Sequence, residues 1–213
     1  MKQSIADIRK EYTALSLQAT EVDANPVDQF LSWFDMAINA EIMEPNAMTL
    51  STIDGNKPSS RIVLLKGVEN EEFVFYTNYK SAKGHQMANS PYVSLNFFWP
   101  ELERQVRIEG TVQKVDEATS DAYFKSRPRG SQIGAWVSPQ SEIIESREVL
   151  NKRLEEIELK FKDRDVERPP HWGGYSVKPN LIEFWQGRPS RLHDRIQYTF
   201  SEANNWTIER LAP

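Results

Sequence analysis

The stretch Ala47-Met48-Thr49-Leu50-Ser51-Thr52-Ile53-Asp54-Gly55-Asn56-Lys57-Pro58-Ser59-Ser60-Arg61-Ile62-Val63-Leu64-Leu65-Lys66 decides how the chain is read. Two runs rich in β-branched residues, 47–53 and 58–66, flank Asp54-Gly55, a dipeptide that supplies the positive φ a tight hairpin needs. Working outward, runs of the same texture recur at 73–77, 92–99, 102–115, 174–177, 181–185, 191–200 and 206–211, separated by turn residues. The pattern predicts a mainly β protein with added helices, an antiparallel meander closing into a sandwich or barrel. Helical periodicity is confined to the flanks and insertions. Residues 4–18 read as a short amphipathic helix, and Asn25 caps a second that begins at Pro26, buries Val27, Phe30, Leu31, Phe34, Ala37 and Ile38, and stops near Pro45. Further helices are expected at 81–88, 116–126 and 145–161, whereas 127–131 should be irregular because of Pro128 and Gly130. Helices flank strands rather than alternating with them, and there is no Gly-x-Gly-x-x-Gly or phosphate loop. A parallel nucleotide-binding sheet is therefore disfavoured.

The 213 residues, 39% hydrophobic and 27% charged, suit one domain with a real core. Twenty-six Lys and Arg against 31 Asp and Glu leave a net charge of -5, so no general attraction to nucleic acid or anionic membrane is expected and any phosphate recognition must be local. With no cysteine, thiolate catalysis and zinc-thiolate sites are excluded, and His85, His171 and His193 show no metal-ligand spacing. No apolar run is long enough to span a bilayer and the amino terminus does not resemble a signal peptide, so a cytoplasmic protein is expected.

Chemistry is densest in Phe184-Trp185-Gln186-Gly187-Arg188-Pro189-Ser190-Arg191-Leu192-His193-Asp194-Arg195. Guanidinium forks suit phosphate or carboxylate and an indole suits an aromatic face, so a flat anionic ligand is the natural partner. Cations gather in four places: Arg61 with Lys66, Lys83 beside Ser81, Arg127 with Ser131, and Arg191 with Arg195. Near them fall Tyr76-Thr77, Gln105, Gln140-Ser141 and Trp185. Arg61 and Lys66 taken alone would be read as pairing with acids across a hairpin, Trp185 as core, and His193 as a packed or surface histidine. Taken together, these residues point to a planar, phosphorylated ligand, which composition does not identify.

The runs Arg61-Ile62-Val63-Leu64-Leu65-Lys66, Phe75-Tyr76-Thr77-Asn78, Arg104-Gln105-Val106, Ser126-Arg127-Pro128-Arg129, Ser131-Gln132-Ile133-Gly134-Ala135, Trp172-Gly173-Gly174, Glu183-Phe184-Trp185-Gln186-Gly187, Arg191-Leu192-His193-Asp194-Arg195 and Glu209-Arg210-Leu211-Ala212-Pro213 closely resemble the pyridoxine/pyridoxamine 5′-phosphate oxidases. The resemblance runs from Ile8-Arg9-Lys10-Glu11-Tyr12 to the last residue. It implies an FMN-binding split β-barrel acting as a homodimer with flavin at the interface, a single domain whose residues 1–24 form an amino-terminal lid on a barrel of residues 25–213. The implied reaction oxidises pyridoxine 5′-phosphate or pyridoxamine 5′-phosphate to pyridoxal 5′-phosphate, with O2 as acceptor and H2O2 as product. Carried over, it places FMN on Arg61, Ile62, Val63, Leu64, Leu65, Lys66, Tyr76, Thr77, Lys83, Gln105, Gln140, Ser141, Trp185 and Arg195. Substrate phosphate is implied at Lys66, Tyr123, Arg127 and Ser131, the substrate ring at Arg191 and His193 as the catalytic pair, and the lid contacts at Arg9 and Tyr12.

The chain departs from the family pattern at one informative place, where Ser81-Ala82-Lys83 stands for the common Ser-Arg-Lys, removing an expected contact to the flavin phosphate. Three other functions compete. Another split-barrel flavin enzyme, such as one acting on a tricyclic metabolite, should lack the Tyr123, Arg127 and Ser131 set. A non-catalytic flavin or pyridoxal phosphate carrier would not need Arg191 and His193. A nucleic-acid-binding barrel fits the basic and aromatic residues but not the net charge.

Overall fold

The computed structural model describes residues 4–5, 11–13, 15–201 and 203–213. Among them are five α-helices and nine strands joined in one sheet. The strands are β1 (Ala47–Asp54), β2 (Lys57–Leu64), β3 (Gly67–Glu69), β4 (Glu72–Asn78), β5 (Tyr92–Trp99), β6 (Arg104–Lys114), β7 (Trp172–Gln186), β8 (Asp194–Phe200) and β9 (Trp206–Leu211). The helices are α1 (Pro26–Asn39), α2 (Ala82–Asn89), α3 (Glu117–Ser126), α4 (Arg129–Val137) and α5 (Arg147–Lys160). Strand order is β2-β1-β5-β6-β7-β4-β3, with β8 paired to both β7 and β9. Asp54-Gly55 turns β1 into β2 as expected, with Gly55 at φ 60°. No helix among the described residues is long and apolar enough to cross a membrane.

The 15-residue β7 replaces the two separate strands expected at 174–177 and 181–185. Its first half pairs antiparallel with β4, from Phe73↔Val177 to Asn78↔Trp172, and its second half with β8, from Leu181↔Thr199 to Gln186↔Asp194. Pro179 lies between these two ladders. Lacking an N–H it would break a ladder, but at the change of partner it need not donate, so the strand continues through it.

The chain folds as two compact units, the first drawn from residues 1–50, 94–110 and 179–213 and the second from 51–93 and 111–178. In the first, α1 starts where Asn25 Oδ1 accepts the Val27 N–H at 2.8 Å, with Pro26 in the first turn. It ends at Asn39, short of Pro45. Its buried stripe is Val27, Phe30, Trp33 and Ala37, while Leu31 and Ile38 stay exposed. Phe30 packs against Phe97 and Trp99, and Trp33 meets Phe184 edge-on. In the second unit, Phe124, Ile133, Val137, Phe161, Val166 and Trp172 form the core beneath α3, α4 and α5. Val166 thus anchors the polar connection after α5. Of the apolar positions of that helix, Leu150 and Ile157 pack on this core, whereas Leu154 and Leu159 stay exposed.

Two expected elements are corrected. Residues 11–13 and 15–18 are not helical. Their backbone groups are taken by carboxyl-terminal side chains instead: Asp194 Oδ2 accepts the Leu17 N–H at 3.1 Å, and Arg188 and Arg210 donate to the carbonyls of Leu15 and Leu17. Residues 127–131 are not an irregular loop, because α4 begins at Arg129. The carbonyl of Pro128 accepts from Ser131 N at 2.8 Å and Gln132 N at 3.1 Å. A proline just before a helix removes no helical hydrogen bond, and Gly130 falls in the first turn, whose N–H groups need no helical acceptor.

Candidate functional site

The second unit contains a cavity of about 600 Å³. It takes Ile62, Val63 and Leu64 from β2, Lys66 from the β2–β3 link, Tyr76, Thr77 and Asn78 from β4, Lys83 from α2, and Tyr123 from α3. Arg127 and Pro128 enter from the α3–α4 link, Ser131, Gly134 and Ala135 from α4, Ser138 and Gln140 from the loop after it, and Trp172 from β7. Three of these side chains are cationic and none is a carboxylate.

Those cations lack ordinary counter-ions. Among the described residues Lys66, Lys83 and Arg127 form no ion pair. Lys83 is buried, and its ammonium donates only to neutral oxygens, Gln140 Oε1 at 3.1 Å, Thr77 Oγ1 at 3.2 Å and Ser81 Oγ at 3.5 Å. Burial and the nearby Arg61 charge push its pKa down. Arg127 lies with its guanidinium 4.5 Å from the Trp172 ring centre, and its Nη1 is buried with no hydrogen-bond partner. Burial lowers its pKa as well. A buried donor left unmatched costs about 1–3 kcal/mol and an uncompensated charge more. An anion in the cavity would remove that penalty.

Aromatic rings line the same space. Tyr76 and Tyr123 stack with centroids 3.8 Å apart, and Tyr123 lies within 5° of parallel to Trp172. Burial, then Glu69 and Tyr123, push the Tyr76 hydroxyl up to about 12, so it remains a donor at neutral pH. Gly84 lets α2 approach closely: a Cβ there would lie 2.1 Å from the Tyr79 carbonyl oxygen.

Of the sequence-predicted residues, the cavity gathers Ile62, Val63, Leu64, Lys66, Tyr76, Thr77, Lys83, Tyr123, Arg127, Ser131 and Gln140. Arg61, Leu65 and Ser141 are not on its wall. Leu65 is buried. Ser141 is exposed with φ 74°. Arg61 donates to Thr52 Oγ1 at 2.6 Å, Ser59 Oγ at 2.6 Å and Gln86 Oε1 at 3.0 Å. Asn78, Ser138 and Trp172 on the wall, and Thr52, Ser59 and Gln86 behind Arg61, were not singled out from sequence. Asn78 and Trp172 carried a signal, through their Phe-Tyr-Thr-Asn and Trp-Gly-Gly motifs.

The other predicted residues belong to the first unit. Tyr12 stands edge-on to Trp185 at 5.6 Å and to His193 at 5.8 Å, and Trp185 and His193 are 4.6 Å apart. Gly187 makes room for this, since a Cβ there would lie 2.7 Å from Tyr12. The backbone N–H of Arg188 donates to His193 Nδ1 at 3.1 Å, which leaves the neutral ring its proton on Nε2. Burial and then Arg191 lower the His193 pKa. Arg191 is exposed and lies in a 3₁₀ turn, Pro189–Arg191, with φ 61°, rather than on the strand expected from 191. Arg195 on β8 donates to Glu183 and to the Ala212 carbonyl. Gln105 on β6 is half-buried. Arg9 lies outside the described residues. No group of three or more potential metal ligands occurs among the described residues.

Comparison with known proteins accords with this chemistry. A family model described as "Pyridoxamine 5'-phosphate oxidase" matches residues 34–161, and one described as "Pyridoxine 5'-phosphate oxidase C-terminal dimerisation region" matches residues 172–213. A relative from Gloeothece citriformis named pyridoxine/pyridoxamine 5′-phosphate oxidase is 58% identical, covering 100% of both chains. Another of that name from Paraburkholderia phymatum is 56% identical, covering 99% of both. Among solved structures, PhzG from Burkholderia lata, crystallised with tetrahydrophenazine-1-carboxylic acid, superposes with a TM-score of 0.88 at 25% identity, covering 96% of this chain and 100% of that one. A pyridoxamine 5′-phosphate oxidase-related, FMN-binding protein from Nostoc punctiforme gives 0.72 at 16% identity, covering 90% of this chain and 100% of that one. The fold is the antiparallel split β-barrel of these neighbours, and the chain belongs to the pyridoxamine 5′-phosphate oxidase family.

Proposed function

We propose that the protein is an FMN-dependent oxidase converting pyridoxine 5′-phosphate and pyridoxamine 5′-phosphate to pyridoxal 5′-phosphate. O2 is the acceptor, H2O2 a product, and ammonia is released from the amine. The observation that carries this is the carboxylate-free cavity in which Lys66, Lys83 and Arg127 converge beside stacked rings, with Arg127 Nη1 buried and unmatched. Such a wall fits ligands combining phosphate and a flat ring, which FMN and the substrate both are. When bound, FMN supplies the two-electron acceptor for oxidation at C4′ of the substrate.

The protein's own residues bind and orient. Lys66, Tyr123, Arg127 and Ser131 hold the substrate phosphate, fixing the distance of the reacting carbon from its acceptor. FMN is held by the 61–66 segment, Tyr76, Thr77, Lys83, Gln105, Gln140, Ser141, Trp185 and Arg195. Arg191 aligns the substrate ring. His193, with Nδ1 already accepting from Arg188, offers an Nε2–H donor rather than a base. Tyr12, with Arg9, belongs to a lid formed by residues 1–24 of a single domain.

We read the protein as a homodimer with flavin at its interface. Large apolar side chains left on strands, Ile62 and Tyr92 above 60% exposed and Phe98 above 50%, suit a partner subunit. The absence of cysteine suits a reducing compartment, and we place the reaction in the cytoplasm.

The likeness to PhzG supports a second reading, an oxidase of a tricyclic acid. The two separate on phosphate dependence. H2O2 release should be robust with pyridoxamine 5′-phosphate and fall by about 100-fold or more with unphosphorylated pyridoxamine, the loss of two or more charge-assisted hydrogen bonds. Equal rates with both, or turnover of tetrahydrophenazine-1-carboxylic acid instead, would contradict the proposal.

A further inference from the structure

Glu183 has no part in the function proposed above, yet it lies among residues that do. It precedes Trp185 by two positions on β7, and Gln105 precedes Arg107 by two on β6, so each pair leaves one face of its strand. Trp185 is registered with Arg195 across the β7–β8 ladder. Glu183 is 3% exposed, and its carboxylate is divided between two arginines: Oε1 accepts from Arg195 Nε at 2.7 Å and Oε2 from Arg107 Nη1 at 2.9 Å. Arg107 Nη2 in turn donates to Glu109 at 2.8 Å. Arg195 Nη1 donates to the Ala212 carbonyl at 2.9 Å. With Nε and Nη1 engaged, Nη2 of Arg195 has no acceptor among the described residues.

A buried carboxylate bridging two arginines stabilises a fold no better than apolar side chains of similar volume. What it provides is orientation: a guanidinium fixed at two of its three nitrogens can turn the third in one direction only. We propose that Glu183 is a positioning residue for the flavin, holding Arg195 so that Nη2 is presented to an acceptor oxygen of FMN. This rests on the assignment of Arg195 to FMN.

The test is FMN titration of apoprotein, followed by flavin fluorescence quenching, for the wild type, Glu183→Gln, Glu183→Asp, Arg195→Ala and Glu183→Gln/Arg195→Ala. Glu183→Gln keeps the shape but removes the charge that bridges both arginines, and should weaken FMN binding by about 10-fold. In the Arg195→Ala background the same change should fall within about twofold, because a residue acting through Arg195 has nothing left to position. Glu183→Asp keeps the charge but not the reach, and should retain part of the affinity. Wild-type affinity in Glu183→Gln, or an equal loss in both backgrounds, would overturn the role. Should circular dichroism show Glu183→Gln unfolded, Glu183→Asp decides in its place by the same comparison. A wild-type apoprotein that takes up no FMN would instead refute the flavin assignment itself.

Discussion

Arg127 bears most directly on the substrate recognition proposed above, because its Nη1 is buried with no hydrogen-bond partner among the described residues. Arg127→Ala should raise KM for pyridoxamine 5′-phosphate by about 10- to 100-fold, the worth of a charge-assisted hydrogen bond, with less effect on unphosphorylated pyridoxamine. An equal effect on both would place the phosphate elsewhere. His193 makes a prediction in pH. Its folded pKa lies below the ordinary 6.5, so the unfolded chain binds the proton better. The stabilisation is therefore present above pH 6.5 and lost as pH falls toward the folded value. A ring-nitrogen NMR titration should put the midpoint below 6.5; one above it would mean that the burial of the ring and its nearness to Arg191 do not hold in solution. Ala82 is exposed at the start of α2, where the resemblance described above leads us to expect arginine. Ala82→Arg should tighten FMN binding, and unchanged affinity in an apoprotein titration would remove that idea. At this scale motifs pointed to candidate residues, but not to what holds them. Thr52 and Gln86 behind Arg61, and Glu183 behind Arg195, stand nine or more positions from the residues they support, and neither they nor the nearby Ser59 carry a local signature.

The strap at 15–18 shows where local pattern misleads. Ile5, Ile8, Tyr12, Leu15 and Leu17 among charges read as helix, yet residues 15–18 lie against the carboxyl terminus, tied by Asp194, Arg188 and Arg210. Such long-range hydrogen bonds override a weak propensity that packing does not support. Asp194 also pairs with Arg210 at 2.7 Å and Arg188 at 3.5 Å, so one carboxylate joins the strap to both arginines. Asp194→Ala should release it. Hydrogen exchange at 15–18 should quicken several-fold or more while α1 is unaffected, and unchanged protection would show that packing alone holds the segment. Ends with strong signals were legible to within a residue or two, among them the start of α1 at Asn25-Pro26, both ends of α3 after Asp116, and the Asp54-Gly55 hairpin, whereas α1 stops at Asn39, well short of Pro45. Helix α4 was missed because proline and glycine are helix breakers only in the interior, and β7 was divided because a partner change cannot be read from one strand. Gly84→Ala should destabilise strongly, since the new Cβ would meet Tyr79 backbone at 2.1 Å. A thermal melt indistinguishable from wild type would contradict this tight approach of α2.

For the whole molecule, alternating β texture and the absence of βαβ order sufficed for an antiparallel architecture, and ordered motifs along the full chain for the family. What sequence could not supply was the partition of the chemistry. The cavity carries Lys66, Lys83 and Arg127, for which we propose phosphate binding, while Trp185, His193, Arg195 and Glu183 share the other unit with Tyr12. If flavin lies at the homodimer interface proposed above, dilution that dissociates the dimer should release FMN in parallel. The central claim is that this protein oxidises a phosphorylated pyridoxine vitamer with bound flavin. Its most direct test is the visible spectrum of the purified protein before and after anaerobic addition of pyridoxamine 5′-phosphate. We expect a yellow protein that bleaches on addition and regains its colour when air is admitted. A protein that binds FMN but keeps its oxidised spectrum with this substrate would contradict the account.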